Sequence, residues 1–203
     1  MLLPRSFYLG PDVVSLAADL LGKFLVTRDE QGVITSGMIC ETEAYAGVTD
    51  RASHAFGGRR SGRTEIMYRV GGTAYVYHCY GMHSLFNVVT NREGIPHAIL
   101  IRGIRPIEGI ETMLRRAGKP SVTKEFGTGP GRVSKILGIH YSHTGTDLTK
   151  KPAPGHGFGI WIEDRGVTPD RATLISGPRI GVDYAGEDAL LPYRFRIGNP
   201  SGF

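Results

Sequence analysis

Two cysteines and one tryptophan are all that 203 residues contain of those types. Two cysteines cannot build a disulfide framework, and Cys40 and Cys79 form no Cys-x-x-Cys pair. Each lies in an apolar, strand-like run, where a small buried side chain is expected rather than a nucleophile. No apolar run reaches the length of about 20 residues that a membrane-spanning helix needs. The best candidate, Val13 to Leu21, is interrupted by Ser15 and Asp19. Met1-Leu2-Leu3-Pro4-Arg5 lacks the basic, apolar and cleavage series of a signal peptide, so the expected location is cytoplasmic, in association with the nucleoid. There is no internal repeat, no phosphate-binding Gly-x-x-x-x-Gly-Lys, no nucleophile elbow and no His-Glu-x-x-His. Of the seven histidines, His78 and His83 stand five apart across an expected turn, a poor ligand spacing. Glu43, His54 and His78 are the one conceivable metal set, and no metal or organic cofactor is expected.

What is present is a modest basic excess, +5 at neutral pH, with 29 glycines and 12 prolines that imply a loop-rich surface. The cations cluster at Arg59, Arg60 and Arg63, at Arg115, Arg116 and Lys119, and at Arg132 and Lys135. The last two follow Gly129-Pro130-Gly131, the start of an expected helix whose free N–H groups suit phosphate. A solvated basic face is the equal alternative for each cluster.

Helical spacing over Pro11 to Leu21 predicts one helix, stopped by Gly22. Lys23 to Arg28, Val33 to Tyr45, Thr73 to Tyr80, Leu85 to Thr90, Ala98 to Ile104, Gly157 to Glu163 and Arg194 to Ile197 read as strands. Gly81-Met82 marks a hairpin tip, and Pro106 is expected to stop the fifth strand. Ile107 to Ala117 and Gly131 to Leu137 are further helices, and Ala46 to Met67 is a long loop beside a site. Strands and helices do not alternate, which disfavours a doubly wound sheet. The expected fold is mixed α/β of the α+β kind: residues 1–203 as a single domain, with a curved antiparallel sheet, surrounding helices and a protruding β-hairpin.

Two segments concentrate chemistry. In Cys40-Glu41-Thr42-Glu43-Ala44-Tyr45, strand alternation places Glu41, Glu43 and Tyr45 on one face. Two carboxylates so placed repel as anions, and burial raises one further toward neutral pH, where it can move protons. An exposed Glu-x-Glu pair would be plain solvated charge, but apolar Met38, Ile39 and Cys40 precede it. In Tyr75-Val76-Tyr77-His78-Cys79-Tyr80-Gly81, Tyr75 reads as core and Tyr77 as either core or site. Tyr80, beside the tip glycine, suits insertion into a base stack.

Taken in order, these segments resemble the alkyladenine (3-methyladenine) DNA glycosylase family of the mammalian type. The resemblance rests on Glu41-Thr42-Glu43-Ala44-Tyr45, His54, Tyr75-Val76-Tyr77 with Tyr80-Gly81-Met82, and Asn87-Val88-Val89. It continues through Ala98 to Arg102, Glu108-Gly109, Gly129-Pro130-Gly131, Leu137-Gly138, Gly177-Pro178-Arg179-Ile180-Gly181, Ala185-Gly186-Glu187 and Pro192-x-Arg194-Phe195. It implies Glu43 as the base that activates water, with Arg102 and the backbone of Ile180 and Gly181 holding that water. It implies Tyr45, His54 and Tyr77 as walls around an extruded base, Asn87 as the group that disfavours the guanine 2-amino substituent, and Tyr80 as the wedge. Arg59, Arg60, Arg132 and Lys135 become candidate phosphate contacts. Arg132 stands where the family has Lys, and His78-Cys79 is more polar than the apolar pair expected there.

The activity so implied is a monofunctional glycosylase of base excision repair that acts as a monomer on double-stranded DNA. It would hydrolyse the N-glycosidic bond of flipped purines of the 3-methyladenine, 7-methylguanine, hypoxanthine and ethenoadenine class. Two other readings compete. A non-catalytic binder of damaged nucleic acid would keep Tyr80 and the arginines without needing Glu43. A carbohydrate hydrolase would use Glu41 and Glu43 as its carboxylate pair.

Overall fold

A computed structural model describes residues 1–79, 81–153, 155 and 157–198. The chain forms α1 (Arg5–Tyr8), α2 (Val13–Asp19), β1 (Phe24–Arg28), β2 (Ile34–Tyr45), β3 (Ala74–Cys79), β4 (His83–Thr90) and β5 (His97–Glu108). It continues through α3 (Ile110–Ala117), α4 (Pro130–Leu137), β6 (Gly159–Glu163), β7 (Leu174–Gly177) and β8 (Arg194–Ile197). The strands pair antiparallel in the order β3-β4-β5-β2-β1-β6, and β8 adds to β2 and carries β7. This is the mixed α/β, antiparallel architecture expected.

Alternation divides the sheet into two faces. Ala44, Ala74, Val76, Phe86, Val88, Ile99 and Ile101 point into the main core, where α2 and α4 bury Leu16, Ala17, Val133, Ile136 and Leu137. Asp12 starts α2 by accepting from the N–H groups of Val14 (2.9 Å) and Ser15 (3.2 Å). Pro130 opens α4, and Gly138, in the left-handed conformation at φ 72°, closes it. The intervening positions, Tyr75, Tyr77, Leu85, Asn87, Ala98, Leu100 and Arg102, line a cleft on the opposite face.

Three departures from the sequence expectations matter. β5 runs through Pro106 to Glu108 instead of stopping there. Its pairing with β4 is confined to His97–Leu100, so beyond Ile104 one edge is free and the missing proline N–H disrupts no ladder. The helix expected from Ile107 begins only at Ile110, because Gly109 lies at φ 74° between strand and helix. The loop over residues 46–67 contains short 3-10 turns at Gly47–Thr49, Phe56–Gly58 and Glu65–Tyr68. The protruding hairpin is present: β3 and β4 pair from Ala74↔Val88 to Cys79↔His83, well past the last β4–β5 pair at Asn87↔Leu100. Tyr80 lies outside the described residues.

Candidate active site

The sheet is irregular where the chemistry is. Between Ile39↔Ile104 and Glu41↔Gly103, β2 carries one extra residue, Cys40. Between Glu41↔Gly103 and Thr42↔Ile101, β5 carries one extra residue, Arg102. Such bulges re-aim side chains and bend strands. Glycine at 103 leaves room for this crossing: a Cβ there would stand 3.0 Å from Glu41 Cβ and 3.2 Å from Cys40 Sγ, tight contacts that the neighbours would have to give way to. The bent end of β2 then lies between β5 and β8, with Glu43 opposite Leu100 on one side and Arg194 on the other.

Glu43 has no exposed surface at all. Its Oε1 accepts from the Ile180 N–H at 2.7 Å and its Oε2 from the Tyr45 hydroxyl at 2.9 Å. Arg102 Nε stands 3.4 Å from Glu43 Oε1 and 3.4 Å from Glu41 Oε1. Arg194 Nη1 holds the same Glu41 oxygen at 3.1 Å. Burial pushes the Glu43 carboxyl above its ordinary pKa, against the pull of Arg102 and the two hydrogen-bond donors. The two glutamates do share a face, as alternation requires. They are bridged by one arginine rather than set on either side of an open gap, which is not the arrangement of a glycoside hydrolase pair.

In front of Glu43 lies a cleft of about 480 Å³, within the range of small-molecule sites. Tyr45, His54, Tyr77, Asn87, Arg102, Ile180 and Gly181 all line it; Glu43 lies one layer behind them. Tyr77 meets His54 edge to face, with ring centroids 4.8 Å apart. The Asn87 amide nitrogen donates to the carbonyls of Tyr75 (3.1 Å) and Leu85 (3.2 Å), which fixes the orientation of the side chain. The Ile180 N–H is spent on Glu43 itself.

Sequence reasoning gave no role to Arg63, which stacks over the Tyr77 ring (4.7 Å) and donates to His54 Nε2 at 3.1 Å. Because a guanidinium has no acceptor, Nε2 must accept, so Nδ1 carries the proton and donates to the Tyr75 hydroxyl at 2.9 Å. Burial and the cations Arg63 and Arg59 bring the His54 pKa down to about 4, so the ring is neutral at pH 7. Also missed were Tyr184 on the cleft rim, 70% exposed, and the buried pair Arg179–Asp50. Only Arg63 carried a sequence signal, its place in an arginine cluster. Of the candidate phosphate contacts, Arg59 is exposed, and Arg60 is forked onto Glu65 at 2.7 and 2.8 Å. Arg132 donates to the Glu125 carbonyl at 3.2 Å, and Lys135 lies 3.5 Å from the Ala117 carbonyl. Among the described residues no three His, Cys, Asp or Glu side chains are gathered to hold a metal, and no helix is long and apolar enough to cross a membrane.

Residues 6–201 match the sequence profile of the methylpurine-DNA glycosylase family. The chain belongs to that family. Like the other members, the chain is a hydrolase of the N-glycosylase class and a DNA-repair protein. Relatives lie in several bacteria. A protein of Chlamydia felis is 45% identical over 197 residues, covering 97% of this chain and 96% of the relative. One of Clostridium perfringens is 39% identical over 204 residues, and one of Bacillus cytotoxicus 41% over 207, each covering 97% of this chain and 96% of the relative. All three carry the name "Putative 3-methyladenine DNA glycosylase".

Proposed function

We propose that this chain, acting as a monomer at the nucleoid, excises alkylated purines from double-stranded DNA by monofunctional hydrolysis, with Glu43 as the base. One observation supports this most: a carboxylate with no wet surface, raised in pKa, held directly behind an aromatic-walled cleft in a family of base-removing enzymes.

Because Glu43 is sealed, water reaches it only when its cover moves. Tyr45 is both the donor to Oε2 and a wall of the cleft, so a base seated against Tyr45 is the event that can open the way. Glu43 then takes a proton from the water. The water oxygen bonds to C1′, and the C1′–N bond breaks with its electron pair going to the purine. The carboxylate also favours the positive charge that develops on the sugar. Tyr45, Tyr77 and His54 hold the extruded ring by stacking, worth about 1–3 kcal/mol per base. Asn87 excludes the 2-amino group of unmodified guanine. Tyr80 fills the gap left in the duplex, and extrusion costs least for a poorly paired base. A Tyr80→Ala variant should therefore lose affinity for lesion duplexes more than it loses thermal stability. Arg59, Arg60, Arg132 and Lys135 supply phosphate contacts, which makes binding fall as salt rises.

In the substrate series, 3-methyladenine and 7-methylguanine leave as neutral bases once the bond breaks, whereas hypoxanthine and ethenoadenine need a proton. The test is to incubate the protein and Glu43→Gln with duplexes that each carry one defined lesion. Free base and abasic sites from the wild type, and a loss of about 100-fold or more in the variant, are expected. Wild-type release by Glu43→Gln would leave another group as the base, and no release from any duplex by the wild type would leave a non-catalytic binder as the reading.

A further inference from the structure

Arg179 and Asp50 form a buried ion pair 129 residues apart in sequence, and its placement does not serve the main core. Their side chains have 0% and 2% exposure. Arg179 Nη1 donates to Asp50 Oδ2 at 2.5 Å and to the Ala44 carbonyl at 2.8 Å. Its Nη2 donates to Asp50 Oδ1 at 2.8 Å and to the Asp188 carbonyl at 3.1 Å. Asp50 also receives the N–H groups of Ala46 (2.9 Å) and Ala52 (3.0 Å). Buried charge pairs are weak contributors to stability, since an apolar pair of like volume serves as well or better. A pair that makes these six hydrogen bonds while its buried Arg179 Nε goes without one therefore calls for a reason in geometry.

That reason lies in the two groups that touch Glu43. Ile180, whose N–H bonds Oε1, is the residue after Arg179. Tyr45, whose hydroxyl bonds Oε2, lies with its ring 4.9 Å beneath the Arg179 guanidinium and follows Ala44, whose carbonyl Arg179 holds. On the other side of Arg179, the Pro178 carbonyl is fixed by Arg194 Nε at 2.9 Å. Both hydrogen-bond donors to the carboxylate thus hang from one guanidinium fork.

We propose that Arg179, clamped by Asp50, is a positioning residue that places the Ile180 N–H and the Tyr45 hydroxyl on Glu43. This rests on Glu43 being the base. The charged or titratable side chains around Glu43 are Glu41 and Tyr45 on β2, Arg102 on β5, Arg194 on β8, and Arg179, Asp50 and Tyr184 in the loops. Arg102 makes no bond to the fork, so loosening it removes hydrogen-bond donors to Glu43 while leaving its ion-pair partner in place. Loss of donors to an anion disfavours the anion, so the group should protonate at higher pH.

The test is single-turnover release of 3-methyladenine from dimethyl-sulfate-treated duplex DNA across pH, for wild type, Asp50→Asn, Arg179→Lys, Glu43→Gln and a control, Asp147→Asn. Asp50→Asn keeps an oxygen for the Ala52 N–H but not the charge. Arg179→Lys keeps the charge but not the fork. Asp147 pairs with Arg5 at 2.7 Å, away from the cleft. Both fork variants should bind undamaged duplex within about twofold of wild type. They should release base about tenfold more slowly or worse, with the acid limb of the profile moved up by about one pH unit. The Asp147 control should lose stability without moving that limb. An unmoved limb in both folded fork variants, or failure of both to fold, overturns the positioning role and leaves a structural pair. Wild-type activity in Glu43→Gln is a separate result that removes the base assignment itself.

Discussion

Arg102 reaches Glu43 from a residue of β5 that has no partner on β2, so its Nε lies 3.4 Å from a carboxylate that a regular ladder would have faced with a different side chain. The same Nε is 3.4 Å from Glu41, which makes one cation answer for two largely buried anions. Arg102→Ala should cost about 3–5 kcal/mol of stability, because it leaves buried Glu43 without its ion-pair partner and Glu41 with Arg194 alone. The acid limb of excision should also rise, since an opposite charge that favours the anion is gone. Urea unfolding and a pH–rate profile check both; an unchanged midpoint would show that Arg194 alone suffices.

Tyr45→Phe keeps the aromatic wall and removes the donor to Oε2. Affinity for a lesion duplex should hold within about twofold, while stability falls by about 1–2 kcal/mol through the lost hydrogen bond. The acid limb of excision should move to higher pH. Weakened binding with an unmoved limb would mean that the hydroxyl serves the ligand and not the carboxylate.

His54 gives stability a definite pH sign. Unfolded, it titrates near its ordinary 6.5; folded, near 4. Between these values the unfolded chain binds the proton and the folded one does not, so stability is complete above 6.5 and is lost as pH falls toward 4. The melting temperature of His54→Asn relative to wild type should therefore improve as pH drops from 7 to 5. A difference independent of pH would place the imidazole in solvent.

Lesion preference follows from the same neutral ring. Its Nε2 accepts from Arg63, its single proton is engaged with Tyr75, and burial pushes the hydroxyls of Tyr45 and Tyr77 up, so none readily gives a proton to a leaving base at pH 7. 3-Methyladenine, already cationic in the duplex and without a 2-amino group, should be released faster than hypoxanthine from matched duplexes. Equal rates would require a proton donor beyond these residues.

Gly127 tests how the cleft is framed from the helical side. Its carbonyl accepts the Ile104 N–H at 3.0 Å, and a Cβ there would collide with the Ile104 carbonyl. Gly127→Ala should cost about 1–3 kcal/mol and displace Gly129-Pro130, where Pro130 lines the cleft. Thermal melts and single-turnover rates of the variant report the two effects.

Much of this site was legible because period-two alternation survives in four strands. Counting puts Glu41, Glu43 and Tyr45 on one face of their strand and Tyr75 with Tyr77 on one face of another, whereas Asn87 and Arg102 enter only through the family resemblance. Pro106 misled because a proline stops a strand only where its N–H is needed, and the free edge of β5 is a tertiary fact. β7 was missed because Leu-Ile-Ser-Gly is two half-buried and two exposed residues that, among the described residues, pair only with β8. The extra residue that makes Arg102 point at Glu43 leaves no local signature, since a bulge is a mismatch between two chains. Asp50 and Arg179 lay in a loop and in a quoted Gly-Pro-Arg-Ile-Gly run, but no pattern within either stretch joins them.

The closed state of Glu43 has a consequence for how such a protein could patrol a chromosome. A searching enzyme meets on the order of a million or more ordinary sites for each lesion. On the reading proposed above, a carboxylate with no exposed surface would act at none of them until its cover moves. Chemistry would then be gated by the fit of the guest against Tyr45, and healthy purines would be spared even when briefly sampled.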